Sequence, residues 1–228
     1  MKLLVVEGLD GAGKSTQIKL LNEFFSERGH SCEYLHFPRT DTAWFGELIA
    51  RFLRGEFGAL NDVDPWLVAM LYAGDRKDAS GLINDWLKSG KIVLLDRYTY
   101  SNIAYQCAKL NNSEERRKLM RWILDLEFKH FGIPLPDINI FLDVPFTFTE
   151  KNLSSVRSGH DRKYLNGTKD IHEESMAFQK RVREIYIEVA QSNEQLAVID
   201  CSDKDGNILP PREIFECLIS ILREKKLI

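Results

Sequence analysis

The stretch Gly8-Leu9-Asp10-Gly11-Ala12-Gly13-Lys14-Ser15, GLDGAGKS, lies almost at the start of the chain and decides the fold. It matches the template G-x-x-x-x-G-K-[ST] of a phosphate-binding loop, in which glycines let backbone N–H groups point at phosphate oxygens. Lys14 would place its charge on the β- and γ-phosphates of a nucleotide, and the Ser15 hydroxyl would hold Mg²⁺. The residues predicted to bind the nucleotide are Gly8, Asp10, Gly11, Ala12, Gly13, Lys14, Ser15 and Thr16.

Strand and helix patterns alternate on both sides of this loop, which predicts a parallel sheet covered by helices on both faces. We predict one α/β domain over residues 1–228, with the three-layer P-loop NTPase fold and about five strands. The predicted strands are 2–7, Ser31–Phe37, Lys91–Leu95, Ile138–Val144 and Leu196–Asp200. The predicted helices are Ser15–Arg28, Trp44–Leu53, Trp66–Leu87, 99–110, 113–131, Glu173–Gln191 and Arg212–Lys225. The polar stretch 152–170 is predicted to be a mobile loop inside this domain.

Composition limits the class of protein. The chain has 228 residues, 44% of them hydrophobic, and a net charge of -3, so no basic excess marks it as a nucleic-acid binder. The four cysteines form no C-x-x-C pair, which is typical of reduced thiols in the cytoplasm. No apolar run approaches the ~18 residues of a membrane span, and no signal peptide is visible. We therefore expect a cytoplasmic protein with neither nucleic acid nor membrane as a partner.

The sequence LLDRY at residues 94–98 points to a second substrate. Asp96 ends a buried strand, at the carboxyl edge where parallel sheets bind ligands, and suits a metal ion directly or through water. Arg97 follows, and a kinase whose acceptor is itself phosphorylated needs such a cation because two anionic phosphates must approach each other. The N-K-x-D motif of GTPases is absent, and this weakens the alternative of a nucleotide-dependent switch without excluding it.

These motifs together resemble the thymidylate kinase family of nucleoside monophosphate kinases. The matching segments, in the family's order and over most of the chain, are VEGLDGAGKST (6–16), FPR (37–39), LYAGDR (71–76), DRYTYSNIAYQ (96–106) and LPDINIFLDV (135–144). The resemblance implies that the protein transfers the γ-phosphoryl group of ATP to dTMP with the help of Mg²⁺, and that it forms homodimers.

The resemblance also implies roles for the residues near the acceptor. Asp10 is expected to accept a hydrogen bond from the 3′-hydroxyl of dTMP. Arg39 and Arg97 are expected to bind the phosphate of dTMP. Phe37 would form a wall of the base pocket. Asp96 and Ser15 are the expected metal-binding residues. The residues expected to act in catalysis are Lys14, Arg97, Arg157 and Arg162.

The base and sugar are expected to lie between two helices. Tyr72 and Arg76 are four residues apart and share a helix face, and the family stacks an aromatic ring on thymine there and reads its O4 with the arginine. The family more often has Phe than Tyr at this position. Asn102 resembles the residue that reads the base edge, and Tyr105 the one that crowds a 2′-hydroxyl. The substrate-binding set is Asp10, Phe37, Arg39, Tyr72, Arg76, Arg97, Ser101, Asn102, Tyr105 and Gln106.

The loop 152–170 resembles the lid of the family. Arg157, Arg162 and Lys163 are candidates to reach the transferring phosphoryl group, and the sequence does not decide between them. Some members of the family carry this arginine in the phosphate loop, at the position of Gly11, so this chain is expected to depend on its lid. Asp170 and Glu173 are candidates for lid closure or for the metal.

Two alternatives remain open from the residues themselves. One is a kinase of another pyrimidine nucleotide or nucleoside, because thymine differs from uracil by one methyl group worth only ~1–3 kcal/mol. The other is a nucleotide-binding regulator with no acceptor, which predicts nucleotide affinity without turnover.

Overall fold

The computed structural model describes residues 2–154, 164–165, 170–173 and 175–228. Its strands are β1 (Lys2–Gly8), β2 (Cys32–His36), β3 (Ile92–Asp96), β4 (Ile138–Asp143) and β5 (Leu196–Asp200). Its helices are α1 (Lys14–Ser26), α2 (Phe45–Leu53), α3 (Pro65–Lys88), α4 (Thr99–Cys107), α5 (Ser113–Leu124), α6 (Phe146–Ser154), α7 (Met176–Ser192) and α8 (Pro211–Glu224). A π-helical segment, Asp125–His130, continues α5.

The five strands form one parallel sheet in the order β2-β3-β1-β4-β5, which confirms the predicted fold class. The chain runs from β1 outward to β2 and β3 on one side and later to β4 and β5 on the other. β1 is therefore the strand at which the direction of winding reverses. Ligands of such sheets bind at the carboxyl edge beside that reversal, which here is the edge carrying Gly8, Asp96 and Asp143.

The side chains of β1 alternate between two hydrophobic clusters, one on each face of the sheet. Leu4 and Val6 belong to the larger hydrophobic cluster, which α1 covers with Ile18 and Leu21. Leu3 and Val5 belong to a second cluster on the opposite face, together with side chains of α3 and β3. Because successive side chains of a strand point to opposite faces, a continuous apolar run is required where both faces are buried.

Several helices begin or end at other residues than predicted, and local hydrogen bonds explain the differences. The helix predicted from Glu173 begins at Met176, because the Ser175 hydroxyl accepts a hydrogen bond from the N–H of Phe178 at 3.2 Å and caps α7. The helix predicted over 113–131 changes at Leu124 into the π segment, where the N–H of Phe131 donates to the carbonyl of Leu126 at 2.8 Å. No helix in the described part of the chain is long and apolar enough to cross a membrane.

The largest correction concerns the start of the predicted loop 152–170. Helix α6 was not predicted, and it extends through residues 152–154. The region 145–153 carries apolar residues at positions 146, 148 and 153, a pattern too short to distinguish a helix from a turn. Arg157, Arg162 and Lys163 lie outside the described residues.

Candidate active site

The phosphate loop joins β1 to α1 in the geometry that its glycines allow. Gly13 has φ of 80° and Gly11 has φ of 75°, both in the left-handed region that residues with a Cβ rarely adopt. Helix α1 begins directly after Gly13, so the amides of Lys14 and Ser15 have no acceptor within the helix, whereas that of Thr16 donates to the Gly13 carbonyl at 3.1 Å. A Cβ on Gly8 would lie 3.2 Å from Ala12 Cβ, so this position is also restricted. The loop is a suitable anion-binding site.

Lys14 and Asp96 form the charged floor of this loop. Lys14 is buried, its Nζ donates to the carbonyl of Leu9 at 3.0 Å, and it lies 3.8 Å from Asp96 Oδ1. His36 Nδ1 lies 3.5 Å from Asp96 Oδ2. Burial raises the pKa of Asp96, but the Lys14 charge and His36 outweigh burial and lower it below its usual value. Asp96 is therefore a carboxylate, and its Oδ1 is buried without a hydrogen bond to any described residue.

Arg97 has an unusual backbone conformation that a buried acid holds in place. Its φ of 67° is left-handed, which costs a non-glycine residue on the order of 1–3 kcal/mol and persists only where neighbouring contacts enforce it. The carboxylate of Glu7 is fully buried. It accepts hydrogen bonds from the N–H groups of Tyr98 at 3.0 Å and Ser101 at 3.2 Å, and from the Tyr186 hydroxyl at 2.9 Å. Glu7 thus fixes the first turn of α4 immediately after Arg97. Burial raises the pKa of Glu7 despite these donors.

The guanidinium of Arg97 lies at the centre of a polar cluster. Its Nη2 donates to Asp10 Oδ1 at 2.8 Å and to the Tyr105 hydroxyl at 3.2 Å, and its Nη1 donates to Ser101 Oγ at 3.1 Å. The Tyr105 hydroxyl donates to Asp10 Oδ2 at 2.7 Å, and Gln179 Nε2 donates to the same oxygen at 3.3 Å. Burial raises the pKa of Asp10, but the Arg97 charge outweighs it, so the carboxyl is ionised. Four residues predicted for the acceptor site are therefore in contact.

A second cluster lies between α3, α4 and the π segment. Arg76 is 1% exposed and donates through Nε and Nη2 to both oxygens of Glu127, at 2.7 and 2.6 Å. Glu127 also accepts hydrogen bonds from the Thr99 hydroxyl at 2.8 Å and from Asn102 Nδ2 at 3.0 Å. Asn102 donates from the same Nδ2 to the Ala69 carbonyl at 3.0 Å. Arg76 and Asn102, predicted to read the base, are thus joined through one carboxylate.

Other predicted residues lie apart from these two clusters. Arg39 donates to Asp75 Oδ1 at 2.8 Å and to Asp78 Oδ2 at 2.6 Å, so acids on α3 compensate its charge. Phe37 is a core residue, with its ring centroid 5.7 Å from that of Tyr98, and it belongs to a different apolar cluster from Tyr72. The resemblance assigns Phe37 and Tyr72 to one base pocket, and this assignment stays a prediction.

Tyr72 and Gln106 are both buried. Tyr72 packs in the small cluster that also contains Phe52 and Ile171, and burial raises the pKa of its hydroxyl well above the usual value. Gln106, one helical turn beyond Asn102, is 1% exposed. Its Oε1 has no hydrogen-bond partner among the described residues, as is also true of Asn102 Oδ1.

Among the described residues near the predicted lid, one contacts the phosphate loop and two others form a hydrogen-bonded pair. Asn152 Nδ2 of α6 donates to the carbonyl of Gly11 in the phosphate loop at 2.8 Å. Tyr164 donates from its hydroxyl to Asp170 Oδ2 at 2.6 Å, and Arg54 donates to the Tyr164 carbonyl at 2.8 Å. Burial, followed by the negative charge of Asp10, raises the pKa of Asp170 to about 7. These contacts place the Asp170 carboxyl in the electrostatic field of the Arg97 cluster.

The sequence reasoning missed three residues that organise the site. Glu127 follows Leu119 and Ile123 at intervals of four, so a charge interrupts the buried stripe of α5, and this interruption was a readable signal. Glu7 ends the apolar run of β1, where a buried acid is equally unusual. Gln179 lies on the buried face of α7 and offers no comparable signal.

Comparison with known proteins identifies the family of the chain. A profile of the thymidylate kinase family matches residues 6–208. The probable thymidylate kinase of Thermococcus onnurineus is 35% identical over 204 residues, which cover 86% of this chain and 88% of the relative. The thymidylate kinase of Mycobacterium tuberculosis is 33% identical over 189 residues, or 82% and 85% of the two chains. The human thymidylate kinase is 33% identical over 165 residues, or 72% and 69%.

A solved structure shows the same architecture. The thymidylate kinase of Candida albicans superimposes with a TM-score of 0.72 and 25% sequence identity. The match covers 99% of this chain and 92% of that chain. The shared fold therefore extends from the phosphate loop to the last helix.

Proposed function

The chain belongs to the thymidylate kinase family and phosphorylates dTMP, and we propose that the Asp10–Arg97–Tyr105 cluster holds the acceptor beside the phosphate loop. In the reaction an anionic oxygen of the dTMP phosphate attacks the γ-phosphorus of ATP. The bond from that phosphorus to the β–γ bridging oxygen breaks, and dTDP and ADP are formed. One observation carries the proposal. A buried arginine, held by several partners, lies against the acid of the loop that binds the donor phosphates.

Arg97 is proposed to bind the acceptor phosphate. The hydrogen bonds described above use three of its five N–H groups, and the others can donate to phosphate oxygens. Burial lowers the pKa of Arg97, but neighbouring Tyr105 and Asp10 outweigh burial and raise it, so the cation is permanent. A permanent, preoriented cation offsets the repulsion between the two phosphates as they approach. Arg39, which Asp75 and Asp78 of α3 hold in the loop after β2, is proposed to assist.

Asp10 and Tyr105 are proposed to bind the sugar. An ionised carboxylate accepts a hydrogen bond from the 3′-hydroxyl, and Asp10 is held in that state by Arg97. The hydroxyl of Tyr105 is fixed on Asp10, so its ring occupies the space beside the sugar and disfavours a 2′-hydroxyl. Ser101 and Gln106 complete this side of the site from α4, and Phe37 is proposed to support it from the core.

Lys14 and the phosphate loop are proposed to bind ATP, with the backbone amides of Gly8 to Thr16 around its phosphates. The residues present suit Mg²⁺, because the buried Asp96 Oδ1 has no described hydrogen-bond partner and the Ser15 side chain is exposed at the start of α1. Bound Mg²⁺ would neutralise charge on the β- and γ-phosphates. The protein itself orients the donor, since Lys14 is held between the loop carbonyls and Asp96.

The proposed function also includes the lid, the oligomeric state and the location of the protein in the cell. Arg157 and Arg162 are proposed to reach the transferring group from the lid and to exclude water when it closes. We also propose that the protein forms homodimers and acts in the cytoplasm, where its free cysteines would stay reduced.

The test is ADP formation from ATP and Mg²⁺ with dTMP, dUMP, TMP, dCMP, dGMP and thymidine as acceptors. We expect dTMP to give the highest kcat/KM, with TMP disfavoured by Tyr105. Preference for another nucleotide would retain the kinase chemistry and remove the roles given to Tyr72, Arg76 and Asn102. Nucleotide binding without acceptor-dependent turnover would instead favour a regulator.

A further inference from the structure

We propose that Glu127 is a specificity-determining positioning residue, because this buried carboxylate orients both Arg76 and Asn102 so that only a base with an N3–H group fits. The inference rests on the proposed binding of the thymine base between α3 and α4. It concerns a residue that makes no contact with substrate in the proposed site. Its effect on substrate choice would pass through the side chains that it holds.

Glu127 is fully buried, and hydrogen-bond donors surround its carboxyl group. Arg76 donates twice, Thr99 donates from its hydroxyl, and Asn102 donates from Nδ2, so both carboxylate oxygens are hydrogen-bonded. Such an arrangement has one favourable orientation, because a buried donor or acceptor left without a partner costs on the order of 1–3 kcal/mol. The carboxylate therefore acts as a rigid anchor between the π segment and the two helices.

The anchor decides which way the amide of Asn102 faces. Its Nδ2 carries two hydrogens, and the two acceptors that it contacts are Glu127 Oε1 and the Ala69 carbonyl, each at 3.0 Å. A flipped amide would bring Oδ1 against two other oxygens. Oδ1 is therefore directed away from them, and it is buried with no partner among the described residues. A buried, unpartnered carbonyl oxygen is suited to a ligand N–H group.

The same anchor presents Arg76 as a donor. Two of its five N–H groups are bound to Glu127, which fixes the plane of the guanidinium while other N–H groups stay available. The two side chains together offer one donor and one acceptor. Thymine and uracil have the complementary pair, an O4 acceptor beside an N3–H donor. Cytosine has the reverse pair, an N4 amino donor beside an N3 acceptor, and would meet like groups at both positions.

The test is the ratio of kcat/KM for dTMP to that for dCMP in the wild type and in Glu127→Gln. Glutamine offers one oxygen and one NH₂ group, so the NH₂ group opposes either Arg76 or the Asn102 amide and allows the amide to flip. We expect the ratio to fall roughly tenfold or more, with the ratio of dTMP to dUMP unchanged because both bases carry N3–H. The KM for ATP should not change.

Thr99→Val is the matched control, since it removes a donor from the same carboxylate and leaves the contacts of Asn102 intact. We expect its dTMP to dCMP ratio to stay within about twofold of the wild type. If Glu127→Gln and Thr99→Val lower activity towards both nucleotides equally, Glu127 is only structural and the proposal is wrong. A wild type that does not prefer dTMP at all would instead refute the proposed function.

A second measurement does not depend on the folding of the variant. In ¹⁵N-labelled wild type, both Nδ2 protons of Asn102 should exchange slowly with solvent in the free protein, because both are hydrogen-bonded to protein groups. Fast exchange of either proton would show that Nδ2 is not held by both acceptors and would overturn the assignment.

Discussion

His172 should make the folded protein sensitive to acid. Its side chain is 6% exposed and is packed among aromatic rings, with centroids 4.9 Å from Tyr105, 5.7 Å from Phe178 and 5.6 Å from Phe52. Burial, followed by the positive charge of Lys109, lowers the pKa of His172 from 6.5 to about 3. Its Nε2 has no hydrogen-bond partner in the described ranges, and the negative charge of Asp10 offsets only part of the cost of protonation.

The loss of folding stability in acid can be calculated from proton linkage at His172. Below pH 6.5 the unfolded chain binds a proton at this residue that the folded protein does not bind until pH approaches 3. The stability that depends on neutral His172 is therefore complete above pH 6.5 and declines by about 1.4 kcal/mol per pH unit below it. At pH 4.5, two units lower, the loss amounts to about 3 kcal/mol.

The perturbation is His172→Phe, which keeps an aromatic ring and removes the titration. We would measure the free energy of unfolding by urea at pH 7.5, 6.5, 5.5 and 4.5, without nucleotides. The variant should gain about 3 kcal/mol relative to the wild type between pH 7.5 and 4.5. The control is His130→Phe at an exposed histidine. If the stability curves of the wild type and His172→Phe run parallel, whatever the offset between them, His172 does not cause the loss of stability in acid.

Three further outcomes are expected. Arg97→Ala should lower kcat/KM for dTMP by about 10³ while the Kd of ATP stays within about threefold, and equal loss of both would contradict its assignment to the acceptor. Tyr105→Ala should reduce the preference for dTMP over TMP, which steady-state rates with both nucleotides measure; an unchanged ratio would exclude the role of the ring. Arg76→Met should cost about 3–5 kcal/mol in urea unfolding because it leaves Glu127 buried without its cation. The exposed Arg51→Met, whose partner acid is also exposed, should cost less than about 1 kcal/mol, and similar costs for the two would refute the argument from burial.

Much of the fold could be predicted because its signals are local. The glycines of 8–13 and the apolar run of β1 are adjacent in sequence, and their spacing alone requires a tight loop between a buried strand and a helix. Asp96 and Arg97 could be placed at the carboxyl edge because a strand pattern ends there. The predictions missed α6 and the π segment, since short or irregular helices carry too little periodicity to be distinguished.

The candidate site was predicted only in part. The resemblance named Arg97, Asp10 and Tyr105, and the structure brings them within hydrogen-bonding distance of one another. Arg76 and Asn102 were also named, but their shared partner Glu127 was not. The predicted lid arginines lie outside the described residues, and their roles stay predictions.

Local sequence predicts the phosphate loop, the parallel sheet and the charged side chains at the edge of the sheet, because each depends on neighbours in the chain. Which of those charges are paired is known only from the folded structure. Glu7 meets Tyr98 and Ser101 more than 90 residues away, and Arg76 meets Glu127 across 51 residues. A buried carboxylate has no local signature of its partner, since the free energy of its contacts exists only once distant segments have packed and excluded water.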